Sequence, residues 1–281
     1  MNGKGFIFVV LGMVALIVYL FVTAPAPLPE QAAADRHIAV ESIFVLMEAE
    51  NDAVRTLWTK EIVAAGQQVG LSFSEDWRER DAEAGPLPAL FLRETARNLE
   101  KDPLRLSLFL GSDYPINKEN GFDGLQQDKF ELIRQTGMPQ FFQMPDTALY
   151  TGMFPDAAVV EACVDCHNDH EDSPRQDWQL DDVMGATTWA YPDATLASGE
   201  MLSLLAALRN AFRGTYQTYL DKVATFENPP EIGQRWPRDG YYLPSADVFM
   251  AELSRQTAQE SLHMLLHESS RDRPAVGTAS E

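Results

Sequence analysis

Residues 161–174 read EACVDCHNDHEDSP and hold the only two cysteines of a 281-residue chain, Cys163 and Cys166, with His167 directly after the second. Three readings of that cluster meet difficulties. A disulfide here closes a very small loop and gains little chain entropy. A thioredoxin-like redox pair normally opens a helix after a strand of a parallel βαβ unit, and a following His-Asn-Asp-His does not resemble one. Half of a zinc site, with His167 or His170, lacks a second Cys/His pair at zinc spacing.

The fourth reading is the strongest: C-x-x-C-H is the attachment sequence of a c-type haem. Two thiols add across the vinyl groups of the porphyrin, so Cys163 and Cys166 become thioethers, and His167 is brought to the iron as the proximal ligand of one covalently attached haem c. A methionine thioether as sixth ligand raises the reduction potential, an imidazole lowers it, and an open position admits a gas or water. Met47, on an apolar helical stripe, is the leading candidate, with plain core packing as its alternative role. Met144 and Met153, just before the motif, rank lower. His170 lies too near His167 to reach the opposite porphyrin face. His37 and the pair His263/His267 remain, the pair reading also as a metal-binding or solvent-facing couple.

Haem attachment takes place outside the cytoplasm, and the N-terminus agrees independently. After MNGKG, residues 6–24 carry no charge, long enough to cross a bilayer as a helix. Pro25 and Pro27 follow the small residues of a cleavage site and disfavour the peptidase, so an uncleaved anchor is expected over a signal peptide. Lys4 precedes the span and belongs on the cytoplasmic side. The expected location is a bacterial inner membrane, crossed once, with the C-terminal bulk in the periplasm. A formal charge of −20, from 42 acidic against 22 basic residues, excludes nucleic acid and anionic lipid surfaces as partners. It suits a soluble head, or a docking face for a basic partner.

Residues 1–25 thus read as the anchor and 26–35 as a Pro/Ala-rich stalk. Ile43, Met47, Val54, Trp58 and Ile62 mark a helix over about 36–65, which AGQQVGLSFSEDW breaks. AGPLPALFLRETARNLEKD predicts a proline-opened helix, LRLSLFLGS a strand, and LQQDKFELIRQTG a helix ended by Gly137. PQFFQMPD and ALYTGMF predict two short strands, and VMGATTWAYP a closing one. These elements form an α+β domain over 36–193. A helical C-terminal region follows over 194–268, with helices over about 198–226 and from Ala246, Ser245 being the N-cap. A disordered tail is expected over 269–281.

The order of these motifs resembles the c-haem PAS-like domains found outside the membrane in bacterial chemoreceptors, sensor kinases and nucleotide cyclases, and as stand-alone proteins. The matching stretches are AVRTLWTKEIV, GPLPALFLRETA, LRLSLFLGSDYPINKENGFD, EACVDCHND and WQLDDVMGATTWAYP, within residues 36–193. The resemblance implies a PAS-like antiparallel sheet with long N-terminal helices. It carries the thioether roles to Cys163 and Cys166 and the proximal role to His167. With no third cysteine, a thiolate distal ligand is ruled out, and Met47 gains weight. Where many members carry an arginine before the Pro-x-Asn turn, this chain has Tyr114, so the propionate contacts fall by expectation to Arg55 and Arg105. Sensor members continue into a second span and a transmitter; here a helical appendix is read instead.

The leading expectation is a membrane-anchored periplasmic monohaem cytochrome, acting in electron transfer or as a redox subunit of a membrane complex. Its partners are the inner membrane, through one helix, and another redox or membrane-complex protein, or a second copy of itself. The alternative is a haem-based sensor of redox state or a small gas that signals through a separate partner. A peroxidase-like enzyme needs an open distal site with a catalytic base, for which the spacing of the five histidines gives no support.

Overall fold

A computed structural model describes residues 3–23, 37–237 and 242–271, with backbone alone for 3–11, 21, 162 and 259–271. The chain divides into two units, residues 1–36 and 37–281. The first contains helix α1 (Gly3–Thr23), 21 residues with Lys4 as its only charge. Most side chains of its first half are not described, and among the described residues no helix is long and apolar enough to cross a membrane. The stalk over 26–35 lies outside the described residues.

The second unit is α+β, as the sequence patterning requires. Its centre is a four-stranded antiparallel sheet of β4 (Ser107–Gly111), β5 (Gln140–Gln143), β6 (Tyr150–Ala157) and β7 (Val183–Tyr191), in the spatial order β4-β7-β6-β5. Helix α2 (Val40–Thr56) covers one face and α4 (Gly124–Thr136) the other. Side chains alternate accordingly. On β7, Trp189 and Tyr191 enter the core beneath α2, whereas Ala186 packs with Phe130, Ile133 and Met153 beneath α4. Gly152 of β6 lets α2 come close, since a Cβ there would stand 2.8 Å from the Phe44 ring.

The helix predicted over 36–65 differs at both ends. Residues 37–39 form β1 (His37–Ala39), paired antiparallel with β8 (Thr195–Ala197). Beyond Thr56 the helix widens into a π-helical stretch, Leu57–Ala64, then regains α geometry through Gln68. Extra residues per turn rotate Trp58 and Ile62, and both are fully buried. The chain then makes β2 (Ser72–Ser74) and β3 (Ala84–Pro86), a short parallel pair. Helix α3 (Pro88–Leu99) starts with Pro at its first position, where a missing N–H costs nothing. Helix α4 ends where Gly137 takes φ 68°, a left-handed turn that glycine adopts without strain.

Between β6 and β7 lies the segment that carries the cysteines, helix α5 (Glu161–Asp169) and a polar loop. Beyond β8 come α6 (Ser198–Val223) and α7 (Ala246–Arg271), 26 residues each, joined by a connector that contains the small parallel pair β9 (Ile232–Gly233) and β10 (Leu243–Pro244). Ser245 caps α7, its Oγ accepting the Val248 N–H at 3.4 Å. The last helix reaches Arg271, three residues into the stretch expected to be a tail, and 272–281 lie outside the described residues. The two C-terminal helices share the apolar core of α2 and α3: Leu204, Leu208, Phe212, Tyr216, Phe249 and Leu253 join Phe44, Trp58 and Phe91 in one cluster.

Candidate functional site

The cysteine segment is an excursion from the sheet, closed at its base. β6 ends in a bulge between Asp156 and Ala157, a device that bends a strand and ends its pairing. Ala158 then donates its N–H to the Asp182 carbonyl at 2.9 Å and accepts from the Asp181 N–H at 3.0 Å. The excursion over 159–180 thus leaves and rejoins the sheet at a two-bond neck, and Val164 and Trp178 pack with Met184 of β7 beside it. On α5, Cys163, Cys166 and His167 stand at i, i+3 and i+4, which places them along one face of the helix.

Both cysteines are free thiols, Cys163 half-buried and Cys166 exposed. Burial pushes both thiols above their ordinary range. A reactive dithiol requires the opposite shift. The strand–helix–strand connection also joins antiparallel neighbours, not the parallel strands of a thioredoxin-like unit. Among the described residues no cluster of three or more His, Cys, Asp or Glu is placed to hold a metal ion. Burial lowers the pKa of the His167 imidazole, countered by the charges of Asp156 and Glu75. Its Nδ1 is buried with no hydrogen-bond partner among the described residues.

Arg55 of α2 reaches this corner. Its guanidinium bonds the Asp156 carboxylate at 2.5 Å, and the charges of both act on Cys163. Arg55 stands on a polar stripe with Glu48 and Asp52. Glu48 is buried and accepts the Trp189 indole N–H at 2.6 Å. Burial, then the Asp52 charge, raise the Glu48 carboxyl to about 8. Burial likewise raises Asp52, while Arg55 opposes that shift.

The remaining expected residues scatter. Met47 is fully buried in the large core beneath α2, whereas Cys163 packs in a separate small cluster of Ala158, Val164, Trp178 and Met184, with Tyr114 beside it. The structure thus brings Met184, which sequence reasoning passed over, into the cysteine corner. Met153 lies beneath α4 and Met144 in the β5–β6 turn. Arg105 is 69% exposed and 3.9 Å from Asp193. It precedes the end of β4 that pairs with Ala190, while the cysteine excursion leaves from the end near Gly185. His37 is exposed on β1. His170 faces Glu75, 3.6 Å from Nε2 to Oε1, and its Nδ1 accepts the Asp172 N–H. The side chains of His263 and His267 are not described.

Four further residues were not identified from sequence. Asn168, next to His167, makes two bonds to the backbone of Trp178, its Nδ2 donating to the carbonyl at 3.0 Å and its Oδ1 accepting the N–H at 2.9 Å. Arg175 lies 3.9 Å over the Trp178 ring and 5.8 Å from that of Tyr114. Arg134 of α4 sits 5.9 Å from the same Tyr114 ring. The position of Asn168 directly after the motif was the one usable signal; the other three depend on long-range packing.

Two free thiols and the His167 imidazole on one helical face, its Nδ1 and the neighbouring Trp178 indole N–H both buried without partners among the described residues, form a set that fits a porphyrin held through both cysteines. Residues 30–192, over half the chain, match a family model described as Tll0287-like: Tll0287. No curated protein and no solved structure matches the chain.

Proposed function

The chain belongs to the Tll0287-like family, and from that premise we propose that it is a membrane-anchored monohaem cytochrome of c type, built on a PAS-like domain and acting as a redox subunit in the periplasm. The observation that carries the reading is the single face of α5, on which Cys163, Cys166 and His167 stand together with both thiols free. The matched residues coincide with the stretch whose motifs resemble the c-haem PAS-like domains.

When bound, the haem supplies a one-electron iron couple whose potential is set by axial ligand, burial and nearby charge. The chain's residues do the rest. Cys163 and Cys166 provide the two sulfurs for thioether bonds. His167 offers a neutral imidazole, the form that ligates. The Arg55–Asp156 pair fixes the field at Cys163 from the side of α2. The neck at Ala158 and Asp182 ties this face to the end of the sheet, so its position is set by strands and not by a free loop. The uncharged run over 6–24 has the length that a bilayer crossing requires and is the tether to the inner membrane in this proposal.

The test is a reduced-minus-oxidised spectrum of the full chain matured with a c-haem attachment system, with carbon monoxide as challenge. A low-spin, six-coordinate spectrum indifferent to carbon monoxide supports electron transfer. A high-spin or gas-responsive one turns the reading to a sensor acting through a separate partner. Cys163→Ala with Cys166→Ala abolishes covalent haem. Met47→Leu and Met184→Leu keep core volume while deleting a thioether; a spectrum unchanged in either removes that methionine as distal ligand.

A further inference from the structure

A porphyrin brings two carboxylates, and a carboxylate lodged against protein requires hydrogen-bond donors or cations to replace its water. The arginines expected for this task from sequence are poorly placed. The Arg55 guanidinium is committed to Asp156 at 2.5 Å, with Asp52 and Glu48 also in its field. Arg105 projects into solvent beyond the opposite end of the sheet.

Donors without acceptors lie elsewhere in the corner. Trp178 is 3% exposed and packs in the same small cluster as Cys163, and its indole N–H is buried with no acceptor among the described residues. Buried indole N–H groups normally find one. The Nε of Arg134 is likewise buried and unmatched among the described residues, while its terminal nitrogen pairs with Glu131 and meets Asp113 at 3.2 Å, so it is Nε that is open to a further acceptor. Tyr114 links the two. Its ring meets that of Trp178 edge-on, with centroids 5.9 Å apart, and Arg134 and Arg175 both lie within 6 Å of it. Arg175 then stacks on Trp178. The result is an alternating run of cation and aromatic, Arg134–Tyr114–Arg175–Trp178, each pair within cation–π or edge-to-face range. It is anchored to the cysteine helix by the paired bonds from Asn168.

We propose that this run is the carboxylate clamp of the corner: Trp178 Nε1 and Arg134 Nε donate to the two propionates of the porphyrin held at Cys163 and Cys166, with Tyr114 and Arg175 bracing them. Asn168 is a positioning residue, coupling the placement of Trp178 to that of His167 next to it. The inference rests on the haem reading above and deepens it.

The experiment uses the full chain with its covalent haem. Trp178→Phe keeps the ring and removes the donor; Arg134→Gln removes the guanidinium. Haem content per chain stays at one in both. The propionate bending band in resonance Raman shifts to lower frequency as the hydrogen bond is lost, and the pH dependence of the midpoint potential moves to higher pH as the freed propionate becomes a weaker acid. Where Trp178→Phe does not fold, Arg134→Gln gives the same reading. A band that stays in place in both variants at full haem content overturns the clamp while leaving the haem assignment intact. A band that moves in Arg105→Gln but not in these two overturns it equally. Wild-type chain that matures without haem overturns the assignment and the clamp together.

Discussion

The interior beneath α6 and α7 and the corner that carries the thiols follow opposite building plans. In the interior, Trp58 stacks on Phe91 at 4.5 Å and meets Tyr219 edge-on at 5.1 Å, while Tyr216 stacks on Phe249 at 4.0 Å. Four helices contribute, and the rings fill the space with apolar area. In the corner, a nine-residue helix rests on a cluster of four buried residues, tied down by side-chain-to-backbone bonds and stacked guanidiniums. Each region has a buried indole with no hydrogen-bond acceptor among the described residues. That of Trp58 is surrounded by the rings of Phe73, Phe91, Tyr216 and Tyr219, whose faces are weak acceptors. That of Trp178 has Tyr114 for a neighbour, a ring already approached by two guanidiniums. One region is held by ring packing, with the Tyr219 hydroxyl also buried and without a partner among the described residues. The other is braced by cations and side-chain-to-backbone bonds, and its unmatched donors are those of the clamp proposed above.

The largest expected effect tests the ring packing. Phe249→Ala removes a fully buried ring from α7 and destabilises the domain by about 3–5 kcal/mol, read as a lower denaturant midpoint. A loss under about 1 kcal/mol would show that α7 is an accessory to the fold, and the contrast between the regions would fail. Next comes Arg209→Ala. Arg209 grips the fully buried Glu50 carboxylate through two bonds, at 2.9 and 2.6 Å, and also donates to Thr257. Breaking one side of a buried pair costs about 3 kcal/mol, and it is to be measured in the same unfolding assay.

A third effect lies where the two regions meet. Glu48 has its folded pKa near 8, above its ordinary 4.5, so between those values the folded chain binds more protons than the unfolded one. Its contribution is fully present below pH 4.5 and is lost as the pH rises through 8. Asp52, raised in the same direction, adds to that slope. Glu48→Gln keeps an oxygen for the Trp189 N–H and has no proton to lose. It flattens the decline and leaves the variant more stable than wild type at pH 8 by at least about 2 kcal/mol. Equal slopes in thermal unfolding across pH 5–8 would rule out Glu48 as their source.

Much of the fold was readable from local pattern, because local physics sets it. The Gly137 stop, the Pro88 start and the extended runs of β6 and β7 need only near neighbours. The cysteine motif was readable for the same reason, since five consecutive residues carry it, whereas the helix Glu161–Asp169 that puts its three side chains on one face was not read from sequence. The membership of α6 and α7 in the core was not. Their apolar stripes state that a partner exists and not which one, and Leu208 or Phe249 would look the same in a separate bundle. The reach of Arg55 was guessed, but its partner Asp156 lies 101 residues away, and Trp178 gains its role only through Asn168 and Tyr114. The π-helical stretch at 57–64 had no legible cause, as its residues are ordinary helix formers.

The smallest effect discriminates most sharply between the regions. Asn168→Ala deletes two bonds that hold Trp178 to the cysteine helix, at 3.0 and 2.9 Å. Each is worth about 1 kcal/mol net, and the segment they brace is joined to the sheet by the two-bond neck at Ala158. A loop with so few buried contacts opens on its own, without unfolding the rest. The variant should therefore leave the global denaturant midpoint nearly unchanged, within about 0.5 kcal/mol. Amide exchange should quicken over residues 163–180 alone, by a factor of about 10 for 1.4 kcal/mol of lost local stability, while α2, α6 and the sheet keep their protection. If protection instead falls in α2 and α6 as well, the corner is an extension of the aromatic core, and the division drawn between a ring-packed interior and a separately braced corner does not hold.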